Sequence, residues 1–190
     1  TMPLSQELID KANSVLIEWS NEATFEMQKL LRERLKKNAS NSESQLSASI
    51  NFEGTQATEA GAVATWTLDD YYIFVDLGVK GVNNKSKTYT SDDYPAGFQF
   101  KNLGTPPQMI DAMKNYISRK GIPLQDLQGN KMTIEQKAFQ MSKAVKSKGT
   151  DGTRFYSDVF NDKGFKRLTD KLERSIGGEF EVKIIAQLKE

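Results

Sequence analysis

The chain has 190 residues, 37% of them hydrophobic and 27% charged, a composition typical of a single globular domain. Twenty-six basic residues against 25 acidic ones give a net charge of +1, so bulk charge does not indicate a nucleic-acid or membrane binder. The chain has no Cys and no His, which removes disulfides and the commonest general base and metal ligand. We find no signal peptide and no apolar run of the roughly 18 residues that a membrane span needs. These features predict a non-enzymatic protein without cofactor, metal or membrane.

Residues 5–38 repeat apolar side chains at steps of three and four, the period of an amphipathic helix. Ser5 is a candidate N-cap, and acidic residues precede basic ones in the order that the helix dipole favours. Such a helix would be on the order of 50 Å long, more than a compact domain of this size can cover. We therefore expect its far end to meet a neighbouring chain. The alternative is a core helix that is kinked near Ser20 and Asn21.

Two segments, residues 46–53 and 57–68, alternate apolar and polar side chains as half-buried strands do. Residues 71–75 are consecutive aromatic or β-branched side chains, which predicts a third strand, buried on both faces. Short turns between the three would make an antiparallel meander. The predicted fold class is α+β, with the long N-terminal helix packed on an antiparallel β-meander.

Residues 79–105 have no periodicity, but they contain tyrosines and phenylalanines that a disordered segment would lack. We interpret them as a long protruding loop or arm of a single domain that spans residues 1–190. A partner would finish burying the aromatic side chains of this arm. A flexible loop is the alternative.

The remaining chain predicts additional C-terminal helices. The first of these helices is predicted over residues 106–121, where a proline pair marks its start and a glycine marks its end. Thr133 is a candidate cap for residues 134–148, and a further amphipathic helix follows a cap at Asn161 or Asp162 and runs to Ile176, before Gly177 and Gly178. Residues 179–188 alternate apolar and polar side chains and predict a final strand, with a helix as the alternative.

The acidic residues that flank residues 71–75 can be interpreted as catalytic or as structural. A carboxylate pair can serve glycoside hydrolysis or bind Ca²⁺ or Mg²⁺, and Asp76 would be the catalytic candidate. Asp69 and Asp70, however, are ordinary turn residues, and no spacing matches a calcium loop. We favour the structural interpretation.

The helix predicted over residues 134–148 is rich in lysine. Its lysines could contact phosphate and make the chain a nucleic-acid-binding module, or they could form a solvated surface. The lysines concerned are Lys137, Lys143, Lys146 and Lys148.

Three stretches resemble the neck and tail-component proteins of tailed bacteriophages, the tail-completion or head–tail joining subunits. They are Tyr-Tyr-Ile-Phe-Val-Asp-Leu-Gly at 71–78, Pro-Pro-Gln-Met-Ile-Asp-Ala-Met-Lys-Asn-Tyr-Ile-Ser-Arg-Lys-Gly-Ile at 106–122, and Ala-Phe-Gln-Met-Ser-Lys-Ala-Val-Lys-Ser-Lys-Gly-Thr-Asp-Gly-Thr-Arg-Phe-Tyr at 138–156. The order of a long N-terminal helix, a β-meander with an acidic residue and Gly at its end, and a late Gly-Thr…Phe segment is also similar.

The resemblance implies a structural virion protein: one subunit of a six- or twelve-fold ring between the DNA-filled head and the tail. It implies other neck, portal or tail proteins as partners, and a location in the virion and, during assembly, in the host cytoplasm. Closed rings use heterologous contacts between different surface patches. The expected contact residues are Lys80, Lys85, Lys87, Tyr89, Tyr94 and Phe98. If DNA passes through the ring, the four lysines of the 134–148 helix are expected to face it.

Overall fold

The computed structural model describes residues 5–35, 45–58, 61–83, 86–176 and 182–188. The chain divides into two compact units. The first unit comprises Thr1–Asp76 and Thr153–Glu190. The second, Leu77–Gly152, is an insertion in the sequence of the first, and we call it the inserted unit.

The first unit combines a long helix with a three-stranded sheet. Strands β1 and β2 form an antiparallel hairpin, and β6 pairs with β2 in parallel, so the sheet order is β1-β2-β6. The elements are α1 (Gln6–Leu35), α2 (Gln45–Ser49), β1 (Asn51–Thr58), β2 (Gly61–Leu68), α3 (Tyr72–Leu77, with Leu77 in the inserted unit), α6 (Asp162–Ile176) and β6 (Val182–Leu188).

The core of the first unit lies between α1, the sheet and α6. Trp66 of β2 is buried, and its ring centroid lies 6.1 Å from that of Trp19 on α1 and 5.2 Å from that of Phe160. The indole Nε1 of Trp66 donates to the Thr24 hydroxyl at 2.9 Å, so its polar group is satisfied inside the core. Leu168 and Leu172 of α6 are buried in the same cluster.

The predicted α+β class is confirmed: a long N-terminal helix, an antiparallel hairpin with a small sheet, and C-terminal helices are all present. Helix α1 has 30 residues and is about 45 Å long. The predicted last helix is confirmed as α6, which begins at Asp162 as expected for a cap at Asn161, and the final strand is confirmed over Val182–Leu188. The first two predicted strands form the hairpin with shifted boundaries, because residues 46–49 lie in α2 and β1 begins at Asn51.

The predicted third strand of the meander is wrong, because residues 72–77 form the short helix α3. The N–H of Val75 donates to the carbonyl of Tyr71 at 3.3 Å, which is a helical hydrogen bond. Tyr72 and Val75 pack against the core while Tyr71 and Phe74 are exposed, so the segment has helical rather than double-sided burial. Side-chain propensity for strands is weak, and tertiary packing overrides it here.

The inserted unit contains a small sheet and two helices. Its sheet order is β4-β3-β5, with β3 parallel to β4 and antiparallel to β5. The elements are β3 (Gly78–Lys80), β4 (Phe98–Gln99), α4 (Pro107–Lys120), α5 (Ile134–Lys148) and β5 (Gly149–Asp151).

The two helices of the inserted unit confirm the sequence-based boundaries. Helix α4 ends at Lys120 and is capped by Gly121, whose φ of 60° is left-handed and suits glycine. Helix α5 begins with a capping box: the Thr133 hydroxyl accepts from the N–H of Gln136 at 3.2 Å, and the N–H of Thr133 donates to the Gln136 side chain at 2.9 Å.

Candidate interaction surfaces

The segment predicted as an arm is hydrogen-bonded to the sheet of the inserted unit. The N–H of Tyr89 donates to the carbonyl of Leu77 at 2.8 Å, and the N–H of Gly152 donates to the carbonyl of Lys87 at 2.8 Å. The N–H of Phe100 donates to the carbonyl of Lys80 at 2.9 Å. These bonds fix an irregular backbone at several points along its length, as expected of an ordered loop.

Several of the contact residues predicted in this segment already contact other residues of the inserted unit. The Lys87 ammonium lies 5.6 Å from the centroid of the Tyr89 ring, a cation–π distance. The rings of Tyr94 and Phe98 are 4.9 Å apart, and Tyr94 is the more exposed. Lys80 is half-buried in β3 and neighbours β4. The sixth predicted contact residue, Lys85, lies outside the described residues.

The four predicted DNA-facing lysines of α5 do not form one row. The Lys137 ammonium donates to the carbonyl of Gln125 at 2.6 Å, and the Lys146 ammonium donates to the carbonyl of Gly104. Lys143 lies over the Phe139 ring, 4.8 Å from its centroid. Lys137 and Lys143 are six residues apart, so their side chains leave the helix about 120° from each other. Lys143 and Lys148 are exposed.

A hydrogen-bonded loop between α4 and α5 presents an exposed leucine. The Asp126 carboxylate accepts from the N–H of Gln128 at 2.9 Å and from the N–H and side-chain amide of Asn130 at 2.8 and 2.9 Å. The pKa of Asp126 is lowered, chiefly by the hydrogen bonds from Asn130. Leu127, between these partners, is 98% exposed. Gly129 and Asn130 are the turn signal that predicts a loop over residues 122–133 from the sequence, and the structure confirms this loop between α4 and α5.

Next to this loop, α5 borders a groove of about 520 Å³. Phe139 and Met132 are its apolar lining residues, and Phe139 is 43% exposed. We call this region the α5 groove. It is lined by Asp126, Lys131, Met132, Gln136, Phe139, Gln140 and Lys143.

The two units carry opposite net charge. The inserted unit has twelve Lys and Arg against six Asp and Glu, a net charge of +6. The first unit has fourteen against nineteen, a net charge of −5. The near-neutral total therefore conceals a strong division of charge along the chain. A separate count for residues 77–152 would have revealed it from the sequence.

Helix α1 concentrates acidic charge in the first unit and exposes apolar side chains beside it. Residues 6–26 contain five acidic residues and one basic residue. Phe25 is 64% exposed and follows the buried Leu16 by nine residues, about two and a half turns, so it points away from the core. Ile17 is also exposed on this helix. Glu22 pairs with Lys171 of α6 at 3.0 Å, yet its side chain keeps more than half of its exposure.

Asp76 is fully buried and belongs to the framework of the first unit. Its carboxylate accepts from the N–H of Tyr156 at 2.7 Å, from the N–H of Ser157 at 3.2 Å and from the Ser157 hydroxyl. Burial raises the pKa of Asp76, and the hydrogen bonds from Ser157 and Tyr156 oppose that shift. This geometry favours the structural interpretation of the carboxylate over the catalytic one.

Within the residues that the structure describes, no group of three or more acidic side chains has the arrangement of a metal site. In the same residues, no helix has the length and apolar character that crossing a bilayer requires.

Comparison with known proteins adds no relative. The chain matches no protein-family model, no curated protein and no solved structure.

Proposed function

We propose that this chain is a structural subunit of a tailed-bacteriophage particle and forms, with copies of itself, a six- or twelve-fold ring that joins head to tail. It acts by assembly rather than by catalysis, in the virion and beforehand in the host cytoplasm. Its other neighbours are neck, portal or tail proteins.

The observation that carries this proposal is that one chain bears two unlike surfaces. The inserted unit is net positive and exposes Leu127 and Phe139, whereas the first unit is net negative and exposes Ile17 and Phe25. A heterologous contact requires two different patches on every subunit, and its repetition gives a ring when the rotation between neighbouring subunits closes and an open filament when it does not. Exposed apolar side chains beside complementary charge are typical of such interaction surfaces.

The stretches that resemble phage neck proteins also support the proposal through their position in the fold. Gly78, at the end of the first stretch, pairs with Asp151 of the last stretch in the β3–β5 ladder. In the first unit, Asp76 accepts hydrogen bonds from Tyr156 and Ser157, where the last stretch ends. The last stretch also contains Phe139 and Lys143, which line the α5 groove, so the resemblance covers both the framework and one of the two surfaces.

The proposal predicts that the purified protein forms closed rings. We expect mass photometry to give a single assembly of six or twelve chains, and negative-stain microscopy to show annular particles with that symmetry. A protein that stays monomeric at its highest soluble concentration, or that forms only two-fold dimers, would contradict the proposal.

The net charge of +6 on the inserted unit favours a second function, binding of DNA in transit. Affinity for duplex DNA should then fall steeply with salt. Replacing Lys143 and Lys148 by Ala should reduce the slope of log K against log [salt] by about 2, since each phosphate contact contributes about 0.9. Lys171→Ala is the matched control, because that ammonium already pairs with Glu22. Fluorescence anisotropy without any binding at low salt would eliminate this function.

A further inference from the structure

We propose that the ring contact, on which this inference rests, joins the α5 groove and Leu127 of one copy to the acidic face of α1 on the next copy. The occupant of the groove is thus a second copy of this chain. The α1 residues concerned are Ile17, Glu18, Glu22 and Phe25.

Charge complementarity identifies the occupant. Lys131 and Lys143 are exposed and border the α5 groove, and the one acidic side chain that lines it, Asp126, is occupied by hydrogen bonds from within its own loop. Glu18 and Glu22 lie on α1 and share one cation, Lys171, at 3.7 and 3.0 Å, and both side chains remain more than half exposed. Opposite charges steer the encounter and fix the orientation of two surfaces. Two α5 grooves facing each other would instead oppose lysine to lysine, which disfavours a two-fold contact.

The apolar side chains match as well. Phe139 lines the groove and Leu127 is exposed in the loop beside it, and Ile17 and Phe25 are exposed on α1. Burying such side chains at the centre of a charged rim is the usual source of affinity in a protein interface.

The Leu127 loop loses little conformational freedom on binding. The Asp126 carboxylate holds both sides of its turn, and the N–H of Met132 donates to the carbonyl of Leu124 at 2.9 Å. The Lys137 ammonium ties the loop to α5 through the carbonyl of Gln125. A preorganised loop spends less of its binding energy on ordering.

The test uses two variants of the full chain, each altered on one of the two surfaces: Leu127→Asp and Phe25→Asp. Both side chains are exposed, so circular dichroism and the melting temperature should remain those of the wild type. We expect each variant alone to stay monomeric where the wild type forms rings, with at least a tenfold weaker association. An equimolar mixture should give one-to-one dimers and nothing larger, because each variant retains one intact surface.

Two further variants are the matched controls. Leu103→Asp changes a leucine of the inserted unit that is 42% exposed but lies neither in the groove nor in the Leu127 loop, and it should leave the rings intact. Phe25→Leu keeps an apolar side chain on α1 and should also assemble.

Each remaining outcome overturns the inference. If both aspartate variants form rings like the wild type, the ring exists but uses another contact, and the proposed function stands. If the mixture stays monomeric, the contact does not join these two surfaces. If the wild type forms no rings, the inference and the proposed function fail together.

Discussion

Replacing Asp76 with Ala is expected to lower the free energy of unfolding by about 3 kcal/mol at neutral pH. The change leaves the N–H groups of Tyr156 and Ser157 and the Ser157 hydroxyl without their acceptor. An unsatisfied buried donor costs about 1–3 kcal/mol, and removal of a buried charge offsets part of the sum. Urea denaturation monitored by tryptophan fluorescence measures the loss, since Trp19 and Trp66 both lie in the core of the first unit.

Asp76→Asn is the matched variant, and it separates the hydrogen bonds from the charge. The amide oxygen can still accept from both N–H groups, and the amide N–H₂ can donate to the Ser157 hydroxyl oxygen. We expect a loss of at most about 1 kcal/mol. An Asn variant as unstable as the Ala variant would show that the charge, rather than the acceptor, stabilises this turn.

Because the pKa of Asp76 is raised in the folded state, the difference in stability between the wild type and Asp76→Asn should depend on pH. The folded protein keeps the proton on Asp76 above its ordinary pKa of 3.8, so the folded state binds more protons than the unfolded state as the pH rises. The contribution of Asp76 to stability is therefore complete below pH 3.8 and declines as the pH rises through the raised folded value. We expect the stability of the wild type relative to Asp76→Asn to fall over this window. A constant difference would contradict the assigned direction.

The sequence predicts those elements whose periodicity extends over several turns. Helix α1 and helices α4, α5 and α6 each repeat their apolar side chains often enough to be recognised, and Thr133 and Gly121 mark boundaries through local chemistry. Helix α3 has six residues, too few to distinguish a helix from a strand. Its actual conformation depends on packing against the core, which a local pattern does not contain.

The candidate surfaces likewise combine features that a local sequence pattern predicts with features that depend on tertiary packing. The sequence shows that α5 is rich in lysine, but it does not show what the lysines contact. Lys146 and Lys137 donate hydrogen bonds to the carbonyls of Gly104 and Gln125, which lie in loops outside the helix. Asp76 likewise lies about 80 positions from the backbone that it binds. Exposure of Leu127 and Phe25 is a property of the folded surface, and hydrophobicity alone would have assigned both to a core.

Gly152→Ala is expected to destabilise the inserted unit by at least about 3 kcal/mol. A Cβ at this position would lie 2.5 Å from the carbonyl oxygen of Leu77 and 2.7 Å from a ring carbon of Tyr89. The carbonyl oxygen of Leu77 belongs to the backbone just before β3 and has little room to move. The N–H of Gly152 already donates to the carbonyl of Lys87, so the backbone at Gly152 cannot move away without losing that hydrogen bond. Hydrogen exchange should show lost protection throughout α4 and α5, whereas Gly104→Ala, which meets only the Asn102 side chain, should leave protection unchanged.

The same variant connects the fold to the proposed assembly. Leu127, Phe139 and Lys143 all belong to the inserted unit, and each keeps its position only while that unit is folded. Gly152→Ala should therefore abolish rings by removing one of the two contact surfaces. Helix α1, with Phe25, lies in the first unit, so the variant should still form one-to-one dimers with Phe25→Asp, which supplies an intact groove. Persistent rings in a protein whose inserted unit has lost its protection would place the contact in the first unit alone.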